Sequence, residues 1–156
     1  KVLVLGPDWR NHEIITALTG LGHDVKLWNE QLPHVKLEEW GIDFIVSNGF
    51  GPIIKEPILT SFNGKIVNIH PAYLPHGRGI YPNFWSFFEG YPKGVTIHYI
   101  DAGIDTGNIL LREVVVFESG ETLRSTNEIL MTRARNLFLN IFNLTLLLIF
   151  EKCLLD

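Results

Sequence analysis

The chain has 156 residues, of which 46% are apolar, 19% charged and 12% aromatic. That length and composition suit one domain with a sizeable core and exclude a disordered or collagen-like chain. Seventeen acidic residues against thirteen basic ones give a net charge of −4 with no run of Lys or Arg, so a nucleic-acid partner gripped through its phosphates is not expected.

In chain order, Lys-Val-Leu-Val-Leu-Gly reads as a buried strand ending at Gly6. It begins inside an apolar run, so an initiator Met is expected to be missing, and no signal-peptide pattern opens it. Asn11 reads as the cap of a helix to about Gly20, with Ile14, Ile15, Leu18 and Leu21 at helical spacing. Asp24 to Trp28 is a second strand, Leu37 to Trp40 a helical turn, and Asp43 to Ser47 a third strand. This β-α-β opening predicts a single Rossmann-like α/β domain, a mostly parallel sheet with helices on both faces. A short helix is expected from about Ile53 to Thr60, a fourth strand from Lys65 to Ile69, and a helix from Asn83 to Glu89. Gly94 to Ile100 and Asn108 to Phe117 read as strands, with a long helix from Glu121 onward. With no repeat or linker, residues 1–156 read as one domain. The first strand is followed by Gly6-Pro-Asp-Trp-Arg rather than G-x-G-x-x-G, and Pro7 removes a backbone donor, which disfavours a dinucleotide there.

Leu137 to Phe150 holds eleven apolar residues in fourteen. As a helix it reaches about 21 Å, short of the roughly 30 Å a bilayer core requires. It therefore reads as a helix buried in the core or facing a second copy in a homodimer, not as a membrane anchor. Cys153 stands alone and forms no internal disulfide, which fits a reducing, cytoplasmic location.

Asn68 and His70 lie at the carboxyl end of the fourth strand, two residues apart and so on one face. Ligands of open α/β sheets bind at that end. Asp105 lies in the Gly-rich loop after the fifth strand. An amide, an imidazole and a carboxylate meeting there suit acyl transfer, with donors for an oxyanion and a group to move a proton. Each residue also has a plain reading, as a strand-end turn residue, a loop histidine and a turn-bonding aspartate. His70, His76, His98 and Asp101 show no common metal-ligand spacing, so no metal is expected. Arg10 reads either as a phosphate contact or as a solvated arginine.

The stretch Asn68-Ile-His-Pro-Ala-Tyr-Leu-Pro-His-Gly-Arg-Gly resembles the signature of the 10-formyltetrahydrofolate-dependent formyltransferases. Gly94-Val-Thr-Ile-His-Tyr-Ile-Asp-Ala-Gly-Ile-Asp-Thr-Gly resembles their second signature. The resemblance implies that Asn68, His70 and Asp105 are the catalytic set and that N10-formyltetrahydrofolate is the co-substrate. It places the pterin against the backbone of two loops, Phe50, Pro52, Ile53 and Ile54 in one and Ile100, Asp101 and Ala102 in the other. It gives His98 a supporting role.

Arg78-Gly-Ile-Tyr-Pro-Asn-Phe-Trp-Ser resembles the branch that formylates nucleotide-linked amino sugars, which implies Arg78, Asn83 and Trp85 as acceptor-binding residues and a nucleotide sugar as the amine substrate. Packing of Phe84 and Trp85, with Asn83 as a helix cap, is the plain alternative. A glycinamide ribonucleotide formyltransferase, a formyltetrahydrofolate hydrolase and a non-catalytic folate- or nucleotide-binding module are the other readings.

Overall fold

The computed structural model describes the backbone of residues 1–153 and the side chains of residues 1–142. Four short apolar runs become the parallel strands β1 (Val2–Leu5), β2 (Val25–Trp28), β3 (Phe44–Ser47) and β4 (Ile66–His70). β5 (Gly94–Tyr99) and β6 (Ile109–Val114) come after them in the chain, and the sheet order is β2-β1-β3-β4-β5-β6. β1 pairs in parallel with β2 and β3, and β3 with β4, while β5 runs antiparallel to both β4 and β6. The switch in direction between β4 and β5 sets Asn68 directly opposite His98.

The helices are α1 (Asp8–Gly20), α2 (His34–Trp40), α3 (Ile58–Ser61), α4 (Pro82–Phe88) and α5 (Leu123–Cys153). Strand side chains alternate between two cores. Val2, Val4, Val46, Val67, Ile69 and Ile97 pack under Ile14 and Leu18 of α1 and Leu130, Ala134 and Phe138 of α5. Leu3, Leu5, Ile45 and Ile66 pack on the other face under Leu37 of α2, Ile58 of α3 and Phe62. Helices thus cover both faces of a mostly parallel sheet, as the sequence pattern predicts.

Three expectations are corrected. α1 begins at Asp8, so Asn11 is not its cap but sits in its first turns, fully buried, with its amide bonded to the Pro7 and Asn48 carbonyls. The helix expected over Ile53 to Thr60 is the single turn α3, because Pro57 keeps the residue before it out of helical geometry. Asn83 lies inside α4, which starts at Pro82, and it caps nothing; its Nδ2 donates to the Leu123 carbonyl and to Thr126 Oγ1, both at 3.0 Å.

The described part of the apolar C-terminal stretch is packed within the chain: Leu137 and Phe138 are buried, and Leu139, Ile141 and Phe142 lie against the same core. The expectations for residues 143–150 and for Cys153 as a side chain fall outside the described side chains. Among the described residues, no helix is long and apolar enough to cross a membrane.

Candidate active site

The carboxyl ends of β1, β3 and β4 open onto one side of the sheet. Gly6 ends β1 at φ +130°, where a Cβ would run into the Asn48 carbonyl, so only glycine lets α1 start this close to the end of β3. That packing draws Arg10 inward. Its Nε donates to Asn48 Oδ1 at 2.8 Å, and burial lowers the guanidinium from its usual value. Arg10 is therefore not the solvated arginine of the plain sequence reading. With Trp9, Met131 and Arg135 it borders a cavity of about 150 Å³.

At the end of β4, Asn68 and His70 face the same way. Asp105 comes from the loop between β5 and β6, and the three meet. Asn68 Nδ2 donates to Asp105 Oδ1 at 3.3 Å. His70 Nε2 stands 3.6 Å from Asp105 Oδ2 and 2.8 Å from the Gly77 carbonyl. His98, 1% exposed, completes the group from β5, with Nε2 3.2 Å from Asn68 Nδ2 and 3.4 Å from Asp105 Oδ1.

Carbonyl partners assign the tautomers. Gly77 O accepts from Nε2–H of His70, and Tyr99 O accepts from Nδ1–H of His98 at 2.7 Å. Asp105 adopts φ +51°, a left-handed conformation unusual for a residue with a Cβ. The Gly79 N–H bond to its Oδ2, 2.8 Å long, helps hold it there. Gly107, two residues on, passes so close to the Tyr99 carbonyl that a Cβ would collide with it.

The electrostatics derive from burial. Desolvation lowers the His70 pKa below 6.5, against the raising effect of Asp105, so the ring is neutral near pH 7. Burial acts to raise the Asp105 carboxyl, but His98, the nearby His70 and the Gly79 N–H outweigh it and hold the group at about 2. The site thus combines an ionised carboxylate with two neutral N–H donors, the Asn68 amide and the His70 ring.

Beside this group lie the two loops expected to hold a pterin. Phe50 and Ile100 are half-buried and pack, with buried Ile54, on the same apolar cluster. Pro52 is half-buried, and Ile53, Asp101 and Ala102 are exposed. Among the described residues, no backbone–backbone hydrogen bond engages Phe50 to Ile54, and Gln31 Nε2 reaches the Ile53 carbonyl at a long 3.4 Å. Unpaired main-chain groups over an apolar floor are suited to a flat ligand with donors and acceptors along its edge. Asp101 does not point toward a ligand. It bonds Thr106 Oγ1 at 2.6 Å and the Gly103 N–H at 3.0 Å, tying up its own turn.

On the other side of His70, a cavity of about 430 Å³ is lined by Gly77, Arg78, Trp85 and Tyr91, among others. Arg78 and Trp85 are therefore brought together as expected, while Asn83 is turned away to α5. His76 stacks on Tyr91 with ring centroids 5.2 Å apart. Among the described residues, no three His, Cys, Asp or Glu side chains are placed to hold a metal ion.

Residues 25–141 match the family model described as formyl transferase. The structure superposes on the formyltransferase PseJ from Anoxybacillus kamchatkensis, solved with UDP-4,6-dideoxy-4-formamido-L-AltNAc and tetrahydrofolate, with a TM-score of 0.87 and 37% identity over 94% of this chain and 76% of that one. The methionyl-tRNA formyltransferase of Clostridium acetobutylicum is 35% identical over 114 residues, 72% of this chain and 37% of that protein. The phosphoribosylglycinamide formyltransferase of Bacillus subtilis is 33% identical over 88 residues, 56% of this chain and 45% of that protein. The chain spans less than half the length of these curated relatives.

Proposed function

The chain belongs to the formyl transferase family, and from that premise we propose that it transfers the formyl group of N10-formyltetrahydrofolate to a primary amine of a nucleotide-linked amino sugar. The convergence of Asn68, His70 and Asp105 within hydrogen-bonding reach of one another carries this reading.

The folate supplies the formyl carbon; the amine nitrogen forms the new C–N bond as the bond to N10 breaks. Asn68 Nδ2 and His70 Nε2–H donate to the formyl oxygen as negative charge gathers on it, and both are fixed before reaction, so little reorganisation is required. Asp105, ionised at any working pH, accepts the proton lost by the amine, directly or through one water, and passes it toward N10. The apolar floor of Phe50, Ile54 and Ile100, with the free main chain of Phe50 to Ile54, orients the pterin. On the opposite side Arg78 and Trp85 hold the acceptor, the guanidinium suiting a diphosphate and the indole an aromatic or sugar face. The PseJ complex with a UDP-linked formamido sugar supports this choice of acceptor.

The likeness to phosphoribosylglycinamide formyltransferase favours a second acceptor, glycinamide ribonucleotide. Its phosphate finds poor reception at the start of α1, where Pro7 lacks an N–H and Asp8 puts a carboxylate in the first turn. Tetrahydrofolate release, measured with each amine in turn and with none, tests the reading. Release that depends on a nucleotide amino sugar and yields its formamide supports it. Release with glycinamide ribonucleotide alone selects the second acceptor. Amine-independent formate production makes the chain a hydrolase, and no release with any amine defeats transfer altogether.

A further inference from the structure

The cavity beyond Gly77 has a wall that the acceptor residues Arg78 and Trp85 do not account for. Its far side is made by His76 and Tyr91, stacked with their planes 21° apart, and by the carboxylate of Glu89. At about 430 Å³ it falls within the roughly 300–1,000 Å³ of small-molecule sites, and it is larger than an amine-bearing monosaccharide alone requires. It also holds one cation and one anion that do not neutralise each other. Arg78 and Glu89 both line it, yet neither has an ion-pair partner among the described residues.

An anionic ligand drawn in by Arg78 is repelled by Glu89 unless its neutral part brings hydrogen-bond donors to that side. A carboxylate accepts only, and a vicinal diol presents two O–H groups to it, the arrangement by which acidic residues hold a ribose in other nucleotide sites. Aromatic rings on two sides add the stacking surfaces a nucleobase uses regardless of its identity. Burial and the Glu89 carboxylate both push the Tyr91 phenol up, so it keeps its O–H to donate.

We propose that this cavity is a ribonucleoside subsite, in which Tyr91 and Trp85 flank the base, Glu89 accepts from the ribose hydroxyls and Arg78 holds the phosphates, so that the acceptor is carried on a ribonucleotide rather than a 2′-deoxyribonucleotide. This rests on the amino-sugar reading and adds the sugar of the carrier to it. The subsite meets the catalytic group at Gly77, whose carbonyl holds His70, which puts the far end of the acceptor where its amine can approach the formyl carbon.

Calorimetric titration of the whole chain with UDP, CDP, GDP and ADP and with the 2′-deoxy form of each tests it. A tetrahydrofolate titration alongside monitors the integrity of the folate side. At least one ribonucleoside diphosphate binds, roughly 10–100-fold tighter than its deoxy counterpart, the worth of a hydrogen bond to a charged group. Glu89→Gln narrows that ratio toward one, and Tyr91→Leu weakens both forms by roughly 10–100-fold, as loss of a stacking ring does. Equal binding of the two forms by the wild type, or a ratio unchanged in Glu89→Gln, overturns the inference while leaving a nucleotide acceptor standing. Absence of any nucleotide binding, with formyl transfer to some other amine intact, overturns both the inference and the nucleotide-sugar reading but not formyl transfer itself.

Discussion

The side-chain amide of Asn68 stands between His98 and Asp105, 3.2 Å from the ring nitrogen of one and 3.3 Å from a carboxylate oxygen of the other. An amide nitrogen has two hydrogens, and here both have acceptors. A formyl oxygen reaches Asn68 only by displacing one of them, so the donor is held in place before the ligand arrives and released at a small cost.

Asn68→Ala removes that donor. The expected loss is about 10²–10³ in kcat, the size of a deleted oxyanion contact, with the dissociation constant for tetrahydrofolate little changed because the pterin loops are untouched. Asn68→Asp, which turns an acceptor toward the oxyanion and toward Asp105, falls at least as far. Steady-state rates with a folate titration check both.

Asp105→Asn keeps the shape of the side chain and the Gly79 bond while removing the proton acceptor. The expected loss in kcat is about 10²–10⁴. Since the carboxyl is held at about 2, activity of the wild type does not fall with Asp105 titration anywhere above about pH 4, and an acid limb seen near neutrality belongs to another group.

Much of this was readable in the sequence. The two-residue spacing of Asn68 and His70 puts both on one strand face whatever the rest of the fold does, and four apolar runs separated by helical stripes leave little choice but a parallel sheet. Other features were not readable because they depend on partners far along the chain. Asn11 reads as a cap until the Asn48 carbonyl, 37 residues on, is seen beside it. Asn83 reads as a cap or a ligand until α5 arrives at its amide. The central place of His98 had a signal, a histidine inside an otherwise apolar strand, but only the pairing with Asn68 explains it. Glu89 and Tyr91 gave none, since the cavity they share with Arg78 forms only when two loops meet.

Stability depends on pH through His70. Its folded pKa lies below the 6.5 of a free ring because the ring is buried. As pH falls below 6.5 the unfolded chain takes up a proton before the folded one, and stability declines until the folded ring is protonated too. Asp105 adds to this lower down: its contribution is intact above about 4 and is lost as pH drops toward 2. Urea denaturation at about pH 5 and about pH 7.5 shows the wild type less stable at the lower value. His70→Gln flattens the difference, and an unchanged slope in that variant would assign the effect elsewhere.

Thr96 is completely buried and braces the segment that carries the catalytic loop. Its Oγ1 donates to the Ala72 carbonyl at 2.7 Å and accepts from the Leu74 N–H at 3.1 Å. Thr96→Val preserves the volume and leaves both backbone groups unpaired, so a loss of about 1–3 kcal/mol in unfolding free energy is expected, read by urea denaturation near neutral pH.

Asn83→Ala removes the tie between α4 and α5. The expected outcome is a loss of about 1–2 kcal/mol in stability with the acceptor KM unchanged. A rise in that KM at constant Tm instead returns Asn83 to the substrate site.

The segment Gly77 to Gly79 faces two ways. Its carbonyl and N–H grip His70 and Asp105, and between them Arg78 turns outward to the acceptor cavity. Selectivity and chemistry are thus built on the same three residues. Redesign of this protein toward a new acceptor should leave that segment alone and graft from the opposite wall, at Glu89 and Tyr91, where a substitution reshapes the cavity without disturbing the backbone grip on the reacting groups.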